Sequence, residues 1–402
     1  MITVQDALAI ILQNKGYYRN EKVALQNTIG RVLKEDLYAD RDMPPYNRVT
    51  MDGIGITHAA FASGQKVFKI EGVAAAGAPE ITLVDKGRCV EVMTGAILPK
   101  QVDSIIRYED LNIDNGHAEI MVNKVIKGQN IHTKGEDRKQ GSLVVPVNTQ
   151  LSPAEIGVAA TVGKTHIDVA RLPKTIIIST GDELVEIDEK PLPHQIRKSN
   201  VHRIKAMLSQ YLINADTHHL ADDLEAIKEQ MAKIVAEYEV VILSGGVSKG
   251  KFDFLPEALE AIGVAKLFHK IKQRPGKPFW FGKANNAKGT IVFALPGNPV
   301  SSFLCSQRYF LPWLRASLGL PEQQLPNAKL TEDYLFKPDL TYFLQVKITY
   351  DKEGRIWAQP VTGNGSGDLA NLVEAEAFLQ LPMGQEVFRK GSVHPLIFYR
   401  KN

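Results

Sequence analysis

Cysteine is nearly missing from this chain: Cys89 and Cys305 are the only two in 402 residues. There is no CxxC pair, no zinc-ligand spacing and no disulfide framework, which excludes a zinc module or a stapled scaffold and fits a reducing cytoplasm. No apolar run reaches membrane-spanning length. No basic stretch precedes an apolar one at the amino terminus, so neither a membrane partner nor a signal peptide is expected. Net charge is also scarce. The 48 Lys and Arg against 45 Asp and Glu leave +3, too little to point to nucleic acid or a membrane surface. Repeats and low-complexity tracts are absent. What is present is an ordinary globular composition, 44% hydrophobic and 23% charged, in a chain long enough for about two to four domains.

The most informative stretch is Ser244-Gly245-Gly246-Val247-Ser248-Lys249-Gly250-Lys251-Phe252-Asp253. It follows the apolar run Val240–Leu243, which reads as a buried strand, and precedes a short helix predicted over Phe254–Ile262. Its glycines let the backbone approach a ligand and adopt positive φ. Ser244 and Ser248 add hydroxyls, the helix start offers N–H groups to an anion, and Asp253 offers a hard oxygen to a divalent cation bridging phosphate oxygens. The stretch reads as a phosphate loop with a metal carboxylate; an ordinary strand-to-helix turn is the bland alternative.

In chain order, Thr3 to Asp6 has capping-box spacing ahead of an amphipathic helix. Residues 22–39 look like a second helical or mixed piece. Pro44 and Pro45 force an extended segment, and Asp52-Gly53 is a turn signal. Short strands separated by Gly, Asn and Asp then predict a small inserted β domain up to about residue 140. Ser152-Pro153-Ala154-Glu155 is a helix start, and that helix is expected to pack with the amino-terminal one. From 174 to about 318 strands alternate with helices, which predicts a three-layer α/β domain with a mostly parallel sheet. A last β module fills 325–402.

Ligands of open α/β sheets bind beyond the carboxyl ends of the strands. The loops at 180–183, 222–223, 244–253 and 295–301 all follow predicted strands and should gather at one edge. Arg274 and Lys277 bring cations there. Carboxylates, glycine turns and cations together suit a phosphate-bearing ligand with a metal.

The motifs SGGVSKGKFD, RPGKP and LPGNPVSS, with MDG at 51–53, MTGAILP at 93–99, STGDEL at 179–184, SN at 199–200 and GSGDL at 365–369, resemble the molybdopterin molybdenumtransferase family, which includes the E domain of gephyrin. The resemblance covers essentially the whole chain. It implies an α/β multidomain subunit: a discontinuous helical domain (1–43 plus 142–173), an inserted β domain (44–141), a molybdopterin-binding three-layer α/β domain (174–324) and a C-terminal β-barrel (325–402). It also implies a cytoplasmic homodimer and Mg²⁺-dependent insertion of molybdate, as substrate, into adenylyl-molybdopterin with release of AMP. Carried over by motif are Asp52 and Thr94, expected from the partner subunit, then Glu183, Asp253 and Lys277 as catalytic residues. Ser244, Gly245, Gly246, Ser248, Gly250, Arg274, Pro296, Gly297 and Ser366 are implied for ligand binding. Asp253, Glu183 and Asp222 are implied for the metal, with the neighbouring Asp223 leaving two alignments open. The chain departs from the family pattern at Val49-Thr50, where Ser-Ala is usual, at Arg274, where lysine is usual, and at Lys198, where an acidic residue is usual. A molybdopterin adenylyltransferase and a gephyrin-like scaffold are the rival readings.

Overall fold

The computed structural model describes residues 1–247, 254–363, 365 and 367–400. It folds as two compact units, one of Met1–Lys34, Asn148–Ser152 and Ile167–Asn402, the other of Glu35–Val147 and Pro153–His166.

The first unit holds a six-stranded sheet and a barrel. Its opening helix α1 (Val4–Gln13) starts on the expected capping box, with the Asp6 N–H donating to Thr3 Oγ1 at 3.1 Å. The strands are β1 (Thr175–Thr180), β2 (Asp216–Leu220), β3 (Val240–Ser244), β4 (Val264–His269), β5 (Gln273–Arg274), β6 (Trp280–Ala284), β7 (Ile291–Leu295), β8 (Asn327–Leu330), β9 (Thr341–Tyr350), β10 (Ile356–Pro360), β11 (Ala377–Leu381) and β12 (Val393–Phe398). The sheet order is β2-β1-β3-β7-β6-β4. The first three pairings are parallel and the last two antiparallel, so the sheet is mostly parallel, with an antiparallel edge.

Side chains alternate across a strand, and a sheet covered on both faces must be apolar on both. Ile177, Val240, Ile242 and Phe293 pack into one core with helix α2 (Ser199–Ser209). Ile176, Ile178, Val241, Leu243 and Val292 pack on the other face with helix α3 (Leu224–Glu237) and helix α4 (Leu255–Ala261). This is the three-layer arrangement expected. After β7 the chain continues as helix α5 (Pro299–Cys305), a π-helical turn Ser306–Phe310 and helix α6 (Leu311–Leu318), where one helix was expected. Strands β9-β10-β8-β12-β11 close on themselves through a β9–β11 pairing, giving a five-stranded barrel. Strand β5, although it lies between β4 and β6 in sequence, pairs with β9 and belongs to the barrel's sheet.

Two local expectations are corrected. Helix α1 buries Val4, Ala7 and Ile11 in the core of this first unit, whereas the helix Pro153–Thr161 belongs to the second. An apolar helix face announces burial but not against what. The piece starting near residue 22 is strand Asn20–Ala24, paired with strand His166–Ala170, then a short 3₁₀ turn.

The second unit is built on a half-barrel sheet in the order Ser104–Arg107, Gly53–Ile56, Cys89–Val92, Val67–Ala74, His117–Ile120, Leu111–Asp114. In Gly53-Ile54-Gly55-Ile56 the isoleucines enter one core. The glycines let neighbours close in on the other side: a Cβ at Gly55 would stand 2.7 Å from the Val102 side chain.

Candidate active site

Three turns meet at the carboxyl ends of β1, β3 and β7. Chain order places β2 on one side of β1 and β3 on the other, so the crevice opens where the winding reverses. Gly245 (φ +110°) and Gly246 (φ +69°) follow β3 in left-handed backbone. A Cβ on Gly245 would lie 2.8 Å from Thr180 Oγ1, and one on Gly297 would lie 3.6 Å from the Gly245 Cα. A side chain at Gly245 would displace the end of β1, and Gly297 packs against Gly245 in ordinary contact.

Asn200, near the start of α2, fastens two of the turns. Its amide donates to Ser244 Oγ (2.9 Å) and to the Gly297 carbonyl (2.7 Å). Arg203, one helical turn further on, donates to Asn200 Oδ1 (3.1 Å), to the Pro299 carbonyl (2.6 Å) and to Ser302 Oγ (2.5 Å). Burial pushes its guanidinium down to about 10, which still leaves it charged at neutral pH. Asn200, already marked by the SN motif, and Arg203, which sequence reasoning did not single out, are positioning residues. Their i, i+3 spacing was the available signal.

The carboxylates come from the next two loops. Glu183 lies back over Gly181 (φ +122°), where a Cβ would meet its Oε2 at 2.3 Å. Asp222, after β2, receives support from Asp182, whose Oδ1 accepts the Asp222 N–H at 3.2 Å. Beside them Lys198 pairs with Glu186 at 2.5 Å, and the lysine's hydrogen bond and charge hold the Glu186 carboxyl low. The family departure at Lys198 therefore carries its own counter-charge.

The opposite wall is the barrel. Strand β5 sets Arg274 directly across from Tyr342 in β9. Gln273 is fully buried. It donates to the Gly276 carbonyl at 3.2 Å and accepts from the Tyr309 hydroxyl of the π-helical turn, which fixes the cationic turn from below. Arg274 and Lys277 make no ion pair among the described residues. Tyr342 lies parallel to Phe336 (ring centroids 4.1 Å apart) and nearly parallel to Tyr334 (5.8 Å).

These walls enclose a cavity of about 1080 Å³. Glu183, Asp222, Ser244, Gly245, Gly246, Arg274, Lys277, Pro296 and Gly297 all line it. Tyr334, Tyr342 and Gln345, which no motif flagged, line it as well. Ser248, Gly250, Asp253 and Ser366 lie outside the described residues. Asp52 and Thr94 belong to the second unit and are joined there. Asp52 Oδ1 accepts from the Thr94 N–H (2.6 Å) and from Thr94 Oγ1 (2.7 Å). So Asp52 is more than the turn former its dipeptide suggested.

The Thr94 backbone N–H, then its hydroxyl, hold the Asp52 carboxyl below the usual carboxylate range. A depressed acid stabilises the fold above its unfolded-state pKa, and that contribution is lost as pH falls through the folded value. Thr94→Val removes the hydroxyl donor alone. The Asp52 pKa, followed by carboxyl NMR titration, is expected to rise yet stay below the unperturbed value, because the N–H remains. An unchanged titration would remove the hydroxyl from this account.

Comparison with known proteins agrees along the chain. Residues 2–163 match the MoeA N-terminal region (domain I and II), residues 176–316 a probable molybdopterin binding domain, and residues 327–397 the MoeA C-terminal region (domain IV). A molybdopterin molybdenumtransferase of Synechocystis is 39% identical over 397 residues, covering 98% of this chain and 99% of that one. One of Bacillus subtilis is 29% identical over 100% of this chain and 94% of its own. Among solved structures, a molybdopterin biosynthesis moeA protein from Pyrococcus horikoshii superposes with a TM-score of 0.85 at 26% identity, covering 99% of this chain and all of that one.

Proposed function

Because the chain belongs to the molybdopterin molybdenumtransferase family, we propose that it is a transferase of molybdenum cofactor biosynthesis that inserts molybdate into adenylyl-molybdopterin and releases AMP. The observation that carries this reading is one cavity gathering Glu183 and Asp222, the Gly245, Gly246 and Gly297 turns, and Arg274 with Lys277.

The phosphoanhydride joining pterin and AMP concentrates negative charge on its phosphate oxygens as it breaks. Glycine turns at strand ends let that charge approach the backbone without a side chain intervening, the Gly245 N–H itself being given to the Leu295 carbonyl at 3.1 Å. Lys277 and Arg274 gather anions on the barrel side, where molybdate, a dianion, has to stand beside the pterin's own sulfurs. No protein thiol is needed. Cys305 is fully buried, and burial pushes both it and Cys89 up, the latter to about 12, so neither is a nucleophile at neutral pH.

Magnesium fits this donor set. Mg²⁺ is ordinarily held by one or two carboxylates plus substrate phosphates rather than by an all-protein cage. Two carboxylates line the cavity, and the described residues contain no group of three His, Cys, Asp or Glu ligands. Glu183 and Asp222 would hold the ion, with Asp253 added on the family resemblance, and it would supply neutralisation of phosphate charge. We assign the chain to the cytoplasm as a homodimer with Asp52 and Thr94 serving the partner's cleft. Among the described residues no helix is long and apolar enough to cross a membrane.

The test is AMP release from adenylyl-molybdopterin upon addition of molybdate and Mg²⁺. Glu183→Gln keeps the shape and removes the charge, and is expected to slow release roughly a hundredfold or more. Absence of AMP from the unaltered protein would overturn the reaction. Full activity of the variant would overturn the role of Glu183.

A further inference from the structure

We propose that Tyr334 and Tyr342 form a shelf for the planar ring of the ligand, a fused nitrogen heteroaromatic. This deepens the function just proposed and rests on it. The rings of Phe336, Tyr342 and Tyr334 are within 16° of parallel along the stack, 8° for the first pair and 16° for the second. Phe336 is buried, while Tyr334 and Tyr342 are half-buried and line the cavity. Aromatic side chains sharing one plane direction at a cavity wall favour a flat ligand over a branched one.

A further observation fixes what kind of flat ligand. Arg274 sits opposite Tyr342 in the β5–β9 register, so a cation for phosphate lies next to the ring site. A ring carrying a phosphate would use both. The Tyr334 hydroxyl donates to that of Tyr342 at 3.3 Å, and burial raises its pKa, so the phenol stays neutral.

The substrate holds two such rings, pterin and adenine. Equilibrium binding of 6-carboxypterin, of AMP and of inorganic phosphate to the full chain separates them. Tyr334→Ala is expected to weaken one or both ring probes about tenfold or more, with binding restored in Tyr334→Phe and phosphate unaffected. The probe that responds identifies the ring on the shelf. If the unaltered protein binds a ring probe and Tyr334→Ala binds it equally well, the shelf is wrong while the transferase reading stands. If the unaltered protein binds neither ring, both fail together.

Discussion

Gly245→Ala is expected to slow AMP release by roughly a hundredfold or more and to cost about 1–3 kcal/mol of stability. Two effects add. At φ +110° an L-residue occupies backbone that only glycine takes without strain. The new methyl group would also stand 2.8 Å from Thr180 Oγ1 and 3.1 Å from the Thr180 carbonyl. The hydroxyl can rotate, but the carbonyl is the end of strand β1, held between β2 and β3, and cannot. Strand β3 and its turn must therefore move, and the turn carries Ser244 and the amide contact from Asn200. Displacing a substrate-holding group by about 1 Å is enough for a hundredfold loss. Single-turnover AMP release and urea unfolding would be measured together. A variant with full rate and full stability would mean that the three turns do not form the phosphate cradle.

The largest effect on the fold itself is expected at Phe293. It is fully buried at the centre of β7, with rings of Phe281, Phe310 and Trp313 at 5.0, 5.2 and 5.2 Å. Phe293→Ala removes the one ring among the described residues that all three touch. Large-to-small aromatic truncations in such cores cost about 3–5 kcal/mol, the transfer loss plus the cavity. In a chain of several modules the relevant quantity is the unfolding transition of the first unit, expected to fall by roughly 10 °C or more. A loss below about 1 kcal/mol would show that the surrounding rings close over the gap. Activity per folded molecule should stay near that of the unaltered protein, because Phe293 does not line the cavity.

Local chemistry made much of this legible beforehand. Unbroken apolar runs in 175–180 and 240–244 announced strands buried on both faces. Glycine turns after them announced where the crevice opens, and β-sheet topology brought Glu183, Asp222, Ser244 and Gly297 to one edge. Pairings across long stretches of chain were not legible. Nothing in Gln273-Arg274 says that this dipeptide joins the barrel, since two residues carry no periodicity. Tyr334, Tyr342 and Gln345 look like ordinary strand residues until closure of the barrel turns them toward the α/β edge. The Asp52–Thr94 contact spans 42 positions, and a turn dipeptide alone does not reveal its acceptor role. Helix α1 showed its apolar stripe but not its partner.

Strand β5 has a consequence for how the molecule can be taken apart. Because Gln273 and Arg274 are hydrogen-bonded into β9 while their flanking residues run through the α/β sheet, the two modules are stitched rather than merely adjacent. Excising the segment from residue 327 onward would strip the loop bearing Arg274 and Lys277 of its scaffold. A lone α/β fragment would keep its sheet and lose its grip on anions, and the barrel could not be exchanged for another without redesigning the stitch.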